Sequence, residues 1–216
     1  MTKIKAGAII FDFDGVIADT GEDIAYAIQS TQKKFGIPQM DRDEIISFVG
    51  NGMGNLIRNV FKGSSEQVIS EALPYYREFY FRNCVKYTKL YKNTLSVLKH
   101  FKAREKGIVS NKPESITKAI MEKLGISSDF GIVIGPESAG SLKPEPEGIL
   151  KALAHLKAEP GKSLMVGDAC TDIFAGKKAG TFTCGITSGF GDTDALIKAG
   201  PDLIIDDIGE LITKVE

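Results

Sequence analysis

Histidine and cysteine are scarce in this chain, and the scarcity narrows its chemistry. The two histidines, His100 and His155, both fall in stretches with helical periodicity, where plain surface or half-buried side chains are the ordinary reading. The three cysteines, Cys84, Cys170 and Cys184, are odd in number and widely separated, with no CxxC and no histidine cluster to complete a zinc site. Histidine catalysis, a disulfide framework and a zinc centre are therefore not expected. Excess charge is missing too: 27 Lys plus Arg against 28 Asp plus Glu gives a net charge of -1. Such a balance offers no general attraction to nucleic acid or to an anionic membrane, which favours a small-molecule partner. No apolar run is long enough to span a bilayer, and Ala6 to Phe11 stops at Asp12, too short for a signal h-region. A cytoplasmic protein is the expectation.

What is present is the composition of an ordinary globular chain: 216 residues, 43% hydrophobic and 25% charged, enough to bury a core without staples. From Ile4 to Phe13 the sequence is an apolar run ended by acids and a glycine, as expected for a strand buried on both faces. Similar runs occur at Gly107 to Ser110, Gly131 to Ile134, Ser163 to Val166 and Thr181 to Ile186, with Leu203 to Ile205 as a sixth. Helical patterns at Thr94 to Lys102, Ser115 to Leu124, Glu147 to Leu156 and Asp172 to Ala179 alternate with them. This alternation predicts an α/β fold with a doubly wound, mostly parallel, Rossmann-like sheet.

The stretch from Ile17 to Val85 breaks the alternation and reads as helices only: Glu22 to Phe35, Arg42 to Phe48, Gly54 to Phe61 and Glu66 to Asn83. The expected organisation is a catalytic core from residues 1–16 and 86–216, with a helical cap of residues 17–85 inserted after the first strand. Ligands of open α/β sheets bind beyond the carboxyl ends of the strands, so the insertion should sit over the site.

Four segments carry candidate chemistry. Asp12 and Asp14 end the first strand, where a spacing of two puts both carboxylates on one side before Gly15 turns the chain; two acids capping a strand or a helix are the bland alternative. Ser110 ends another strand and leads through Asn111 into a helix, a place for an N-cap or for a bound anion. Lys143 lies in a loop stiffened by Pro144 and Pro146, where it either aims a charge or points into solvent. Asp168 closes a strand and Asp172 opens the helix after it, either as helix-dipole partners or as one acid that reaches a metal while the other supports Lys143.

DFDGV at Asp12 to Val16, the serine at a strand end, the lysine before a helix and GDACTD at Gly167 to Asp172 occur in order along essentially the whole chain. Together they resemble the haloacid dehalogenase superfamily, and the helical insertion resembles its subclass with a cap after the first motif. Charge counting agrees: Asp12, Asp14, Asp168 and Asp172 against Lys143 leave about -3, which would repel a phosphate without a divalent cation. A hard, oxygen-rich site of this kind suits Mg²⁺.

The resemblance implies a phosphatase with Asp12 as nucleophile, forming an aspartyl-phosphate, and Asp14 as general acid and base. Gly15, Ser110, Asn111 and Lys143 would then bind phosphate. Mg²⁺ would be held by the Asp12 and Asp168 carboxylates and the Asp14 carbonyl, with Asp172 behind them. An acid at Asp14 favours phosphoryl transfer over dehalogenation, which has no leaving alkoxide to protonate.

The loop Gly50, Asn51, Gly52, Met53, Gly54 is too glycine-rich for a packed helix and reads as a flexible turn or as a substrate loop with accessible N–H groups. Its VGNG string, like SNKP after Val109, resembles phosphoglycolate phosphatases. A small phosphorylated metabolite, phosphoglycolate above others, is the expected substrate of a monomer or homodimer. The alternatives are a β-phosphoglucomutase-like phosphomutase, a pyrophosphatase or a sugar-phosphate phosphatase of the same superfamily. No lysine lies between Lys34 and Lys62 to form a Schiff base in the cap, which argues against a phosphonoacetaldehyde hydrolase.

Overall fold

A computed structural model describes residues 3–216. The chain opens with β1 (Ala8–Phe11) and a two-residue β2 (Ala18–Asp19), followed by four helices, α1 (Gly21–Lys34), α2 (Arg42–Ile46), α3 (Met53–Val60) and α4 (Glu66–Asn83). A short β3 (Lys89–Leu90) and α5 (Thr94–His100) lead into β4 (Glu105–Val109), α6 (Glu114–Lys123), β5 (Ile132–Ile134), α7 (Pro136–Ala139) and α8 (Glu147–His155). The last part runs β6 (Ser163–Gly167), α9 (Cys170–Ala179), β7 (Phe182–Ile186), α10 (Thr193–Lys198), β8 (Leu203–Ile205) and α11 (Leu211–Lys214).

Six strands form one sheet in the order β5-β4-β1-β6-β7-β8, all parallel. The two faces of β1 show why its run is apolar throughout. Ile9 and Phe11 enter one core cluster with Val97 of α5 and Ile116 of α6, whereas Ala8 and Ile10 enter another with Ile149 of α8 and Ala175 of α9. Alternate residues of a strand point to opposite faces, so helices cover both sides of the sheet, as the alternation predicts. Because β1 lies between β4 and β6, the chain order reverses at its carboxyl end and opens a crevice there.

The first strand is shorter than its apolar run. Ile4 bridges to Val215 and the Ala6 N–H donates to the Glu216 carbonyl, so the residues before β1 pair with the other end of the chain instead. The stretch read as helices only also contains β2, which pairs antiparallel with β3, and two residues are too few to leave a periodic signal. Within that stretch α1 packs on α2 and α4, and α3 on α4. His100 and His155 are exposed, and all three cysteines are free.

Candidate active site

At the carboxyl end of β1, the Asp12 N–H donates to the Val166 carbonyl of β6 (2.8 Å), which carries the ladder one residue further before the chain turns. Gly15 makes that turn at φ +78°, and a Cβ there would fall 2.0 Å from Asp168 Oδ2. Only glycine allows both the dihedral and the close approach of the two acidic segments. Asp12 Oδ1 accepts from the Phe13 N–H (2.7 Å) and lies 3.0 Å from Lys143 Nζ. Asp14 Oδ1 accepts from the Thr20 hydroxyl (2.6 Å), and its Oδ2 is 3.0 Å from Lys112 Nζ.

Lys143 is buried, and its ammonium also reaches Asp172 Oδ1 (2.6 Å) and the Val109 carbonyl (2.9 Å). Burial pulls its pKa down, but Asp12 and Asp172 outweigh burial and hold it above the ordinary lysine value. Asp172 is fully buried in the first turn of α9, where its Oδ2 accepts from the Ala169 N–H (3.0 Å). Asp168 Oδ2 accepts from the N–H groups of Phe190 (2.6 Å) and Gly191 (3.2 Å). Burial, then the nearby Asp172 and Asp12, pushes Asp168 far above the usual carboxylate range, and burial pushes Asp172 up to about 6.

The ligand atoms of Asp12, Asp168 and Asp172 lie within 4.8 Å of one another. Two of these three buried acids, Asp12 and Asp172, share one lysine, and the donor set of the three is oxygen alone. That chemistry fits a hard divalent cation and does not call for a soft one.

Ser110 continues β4, its N–H donating to the Ile134 carbonyl (3.1 Å) and its Oγ accepting from the Lys112 N–H (3.3 Å). Asn111 is fully engaged within the protein. Its Nδ2 donates to the carbonyls of Gly50 (2.8 Å) and Lys143 (3.1 Å), and its Oδ1 accepts from the Lys143 N–H (2.8 Å). It ties the glycine loop to the lysine loop. The Gly15 N–H is likewise taken, by the Ala18 carbonyl (3.2 Å).

One cavity brings together Asp12, Asp14, Ser110, Asn111 and Asp168 with Gly50, Gly52 and Met53, while Asn51 is exposed and absent from the lining. Lys143 and Asp172 stand behind this lining, the lysine in contact with both Asp12 and Asp172. Met53 already belongs to α3, so the glycine loop is shorter than its composition suggests.

Sequence reasoning passed over several residues of this cavity: Lys112, Tyr76, Tyr80 and Phe190. Tyr76 and Tyr80 are four apart on α4 and stacked, with ring centroids 5.7 Å apart, a spacing indistinguishable in sequence from a core stripe. Lys112 was visible only as the lysine of SNKP, and nothing in the order of residues pairs it with Asp14.

A carboxylate-dominated crevice at the switch point of a doubly wound sheet, with no histidine or cysteine among the described residues that line it, defines an α/β enzyme built around acid groups. Residues 9–186 match the haloacid dehalogenase-like hydrolase family, and the chain belongs to it. It is 38% identical to a phosphoglycolate phosphatase of Aquifex aeolicus over 81% of this chain and 82% of that one. A phosphoglycolate phosphatase of Vibrio cholerae is 31% identical over 100% and 98%. Among solved structures, that of a predicted phosphoglycolate phosphatase from Haemophilus somnus superimposes with a TM-score of 0.91, at 27% identity, over 99% of this chain and 98% of that one. Among the described residues no helix is long and apolar enough to cross a membrane.

Proposed function

We propose that this hydrolase is a Mg²⁺-dependent phosphatase that cleaves a small phosphomonoester, phosphoglycolate before others, through an aspartyl-phosphate on Asp12. The observation that carries the reading is the pairing of each acid of the Asp12/Asp14 couple with its own lysine: Lys143 at 3.0 Å and Lys112 at 3.0 Å. Asp12 also takes the Phe13 N–H and shares its lysine with Asp172, whereas Asp14 takes the Thr20 hydroxyl. Two neighbouring carboxylates in different surroundings are suited to different work, one as nucleophile and one as proton carrier. Similarity to named phosphoglycolate phosphatases over most of the chain supports the substrate.

An Asp12 carboxylate oxygen attacks phosphorus, the bond to the leaving oxygen breaks, and Asp14 gives that oxygen its proton. In the second half Asp14 takes a proton from water, the water oxygen attacks phosphorus, and phosphate leaves with Asp12 restored. Ser110 holds the transferring oxygens, and Lys143 stands behind Asp12 and holds its carboxylate in place. Asp12 and Asp168 would hold Mg²⁺ through carboxylates and Asp14 through its carbonyl, with Asp172 beside them; the cation supplies charge neutralisation for the phosphoryl group. In this reading residues 17–85 act as a cap over a core of residues 1–16 and 86–216, and the enzyme works on soluble metabolites in the cytoplasm.

A panel of phosphorylated metabolites, assayed for phosphate release with Mg²⁺ and with EDTA, tests the proposal. Phosphoglycolate is expected to lead, with turnover lost in EDTA and restored by Mg²⁺. Isomerisation of a hexose 1-phosphate without phosphate release would move the chain to the phosphomutases.

A further inference from the structure

The two lysines of the site differ in how their protons are used. Lys143 Nζ has three oxygens within 3.0 Å, on Asp12, Asp172 and Val109. Lys112 Nζ has two, Asp14 Oδ2 at 3.0 Å and the Tyr80 hydroxyl at 2.9 Å. An ammonium carries three donors, so Lys112 keeps one without a protein acceptor among the described residues.

Its setting makes that spare donor informative. Lys112 is only 8% exposed, and among the described residues lining the cavity it is the sole lysine or arginine. The helical segment contributes Ile24, Val49, Met53, Leu56, Tyr76 and Tyr80 to the same wall, none of them charged. A buried cation with an unused donor, facing an uncharged helical wall in a cavity whose other charged groups are the carboxylates of Asp12, Asp14 and Asp168, is matched to an incoming anion.

We propose that Lys112 is the specificity-determining cation of this enzyme: it takes the carboxylate of a short phosphomonoester whose phosphoryl group lies at Asp12, and Tyr80 holds the ammonium in place. The proposal rests on the phosphatase reading above and names the group that recognises the substrate. Because Lys112 is bonded to Asp14, the acid assigned to the leaving oxygen, an anionic group must lie within a carbon or two of that oxygen to reach it. One spare donor, on an ammonium already shared with Asp14, matches a carboxylate better than a second phosphate, which brings more charge and more acceptors. Tyr80 comes from α4 and Lys112 from the segment between β4 and α6, so the recognition element is assembled across the insertion and the sheet.

The test compares phosphoglycolate with ethyl phosphate, equal in chain length but without the carboxylate, on the full chain with Mg²⁺. In the wild type, kcat/KM should favour phosphoglycolate. Lys112→Met should cut that preference by about 10- to 100-fold, chiefly through KM for phosphoglycolate, the range expected for one charged hydrogen bond. Lys112→Arg should recover most of it, and Tyr80→Phe should lower it severalfold by loosening the ammonium. A preference unchanged in Lys112→Met, or an equal fall for both substrates, overturns the role of Lys112 and leaves the phosphatase reading standing. A wild type that releases phosphate from both esters without preference overturns carboxylate recognition altogether. Release from neither ester overturns the phosphatase reading on which it rests.

Discussion

Lys143 Nζ lies 2.6 Å from Asp172 Oδ1, an ion pair with 3% of one side chain and none of the other exposed. The same ammonium touches Asp12, so Asp172 at the start of α9 fixes the cation beside the carboxylate at the end of β1. Removing one member of a buried ion pair costs about 3–5 kcal/mol, because the remaining charge is left uncompensated. Lys143→Met should therefore unfold at lower temperature than wild type, and the deficit should be larger in EDTA than in Mg²⁺, which supplies replacement positive charge. Thermal melts in both buffers check this, and equal deficits would contradict it.

The acidic cluster also sets a pH dependence for the metal-free protein. Asp172 is raised to about 6 in the folded state, above the ordinary carboxyl value of about 3.9 expected when unfolded. Between those values the folded chain binds more protons than the unfolded one, so the Asp172 contribution to stability falls as pH rises through that window. In EDTA, the melting temperature of wild type relative to Asp172→Asn should decline from about pH 4 to about pH 6. A difference that stays flat or grows would contradict the assignment.

Asp14→Asn separates the proton carrier from the nucleophile. Loss of acid and base assistance should slow an alkyl phosphate by about 10²- to 10⁴-fold, and an aryl phosphate with a good leaving group by less. Steady-state rates on ethyl and nitrophenyl phosphate make the comparison, and equal losses would remove Asp14 from that role.

A valine at Gly52 would not probe substrate access cleanly. Gly52 has φ +85°, and a Cβ there would stand 3.1 Å from Leu142. Gly52→Val should thus lower the melting temperature as well as activity on every substrate, which melts and rates on phosphoglycolate and nitrophenyl phosphate together would detect. A variant that melts like wild type would contradict this.

Much of the site was legible because its residues stand at the ends of strands whose apolar runs are continuous. Asp12 follows β1, Ser110 follows β4 and Asp168 follows β6, and parallel pairing of these strands brings the three ends together. The partners of those residues were less visible. Nothing local says that Asn111 ties Gly50 to Lys143, or that the Phe190 and Gly191 N–H groups hold Asp168. Those are contacts between segments distant in sequence, set by packing rather than by periodicity. Lys112 is the sharpest case, since its acid lies in β1's loop and its phenol on α4.

A covalent phosphoryl-enzyme at Asp12 can be trapped by quenching turnover of phosphoglycolate in Mg²⁺ with borohydride, which reduces an acyl phosphate to an alcohol. Mass spectrometry of the peptide spanning β1 should find homoserine at position 12 and aspartate at position 14, with no reduction in Asp12→Asn. Rapid phosphate release with an unreduced Asp12, or with reduction at Asp14 or Asp168 instead, would contradict it.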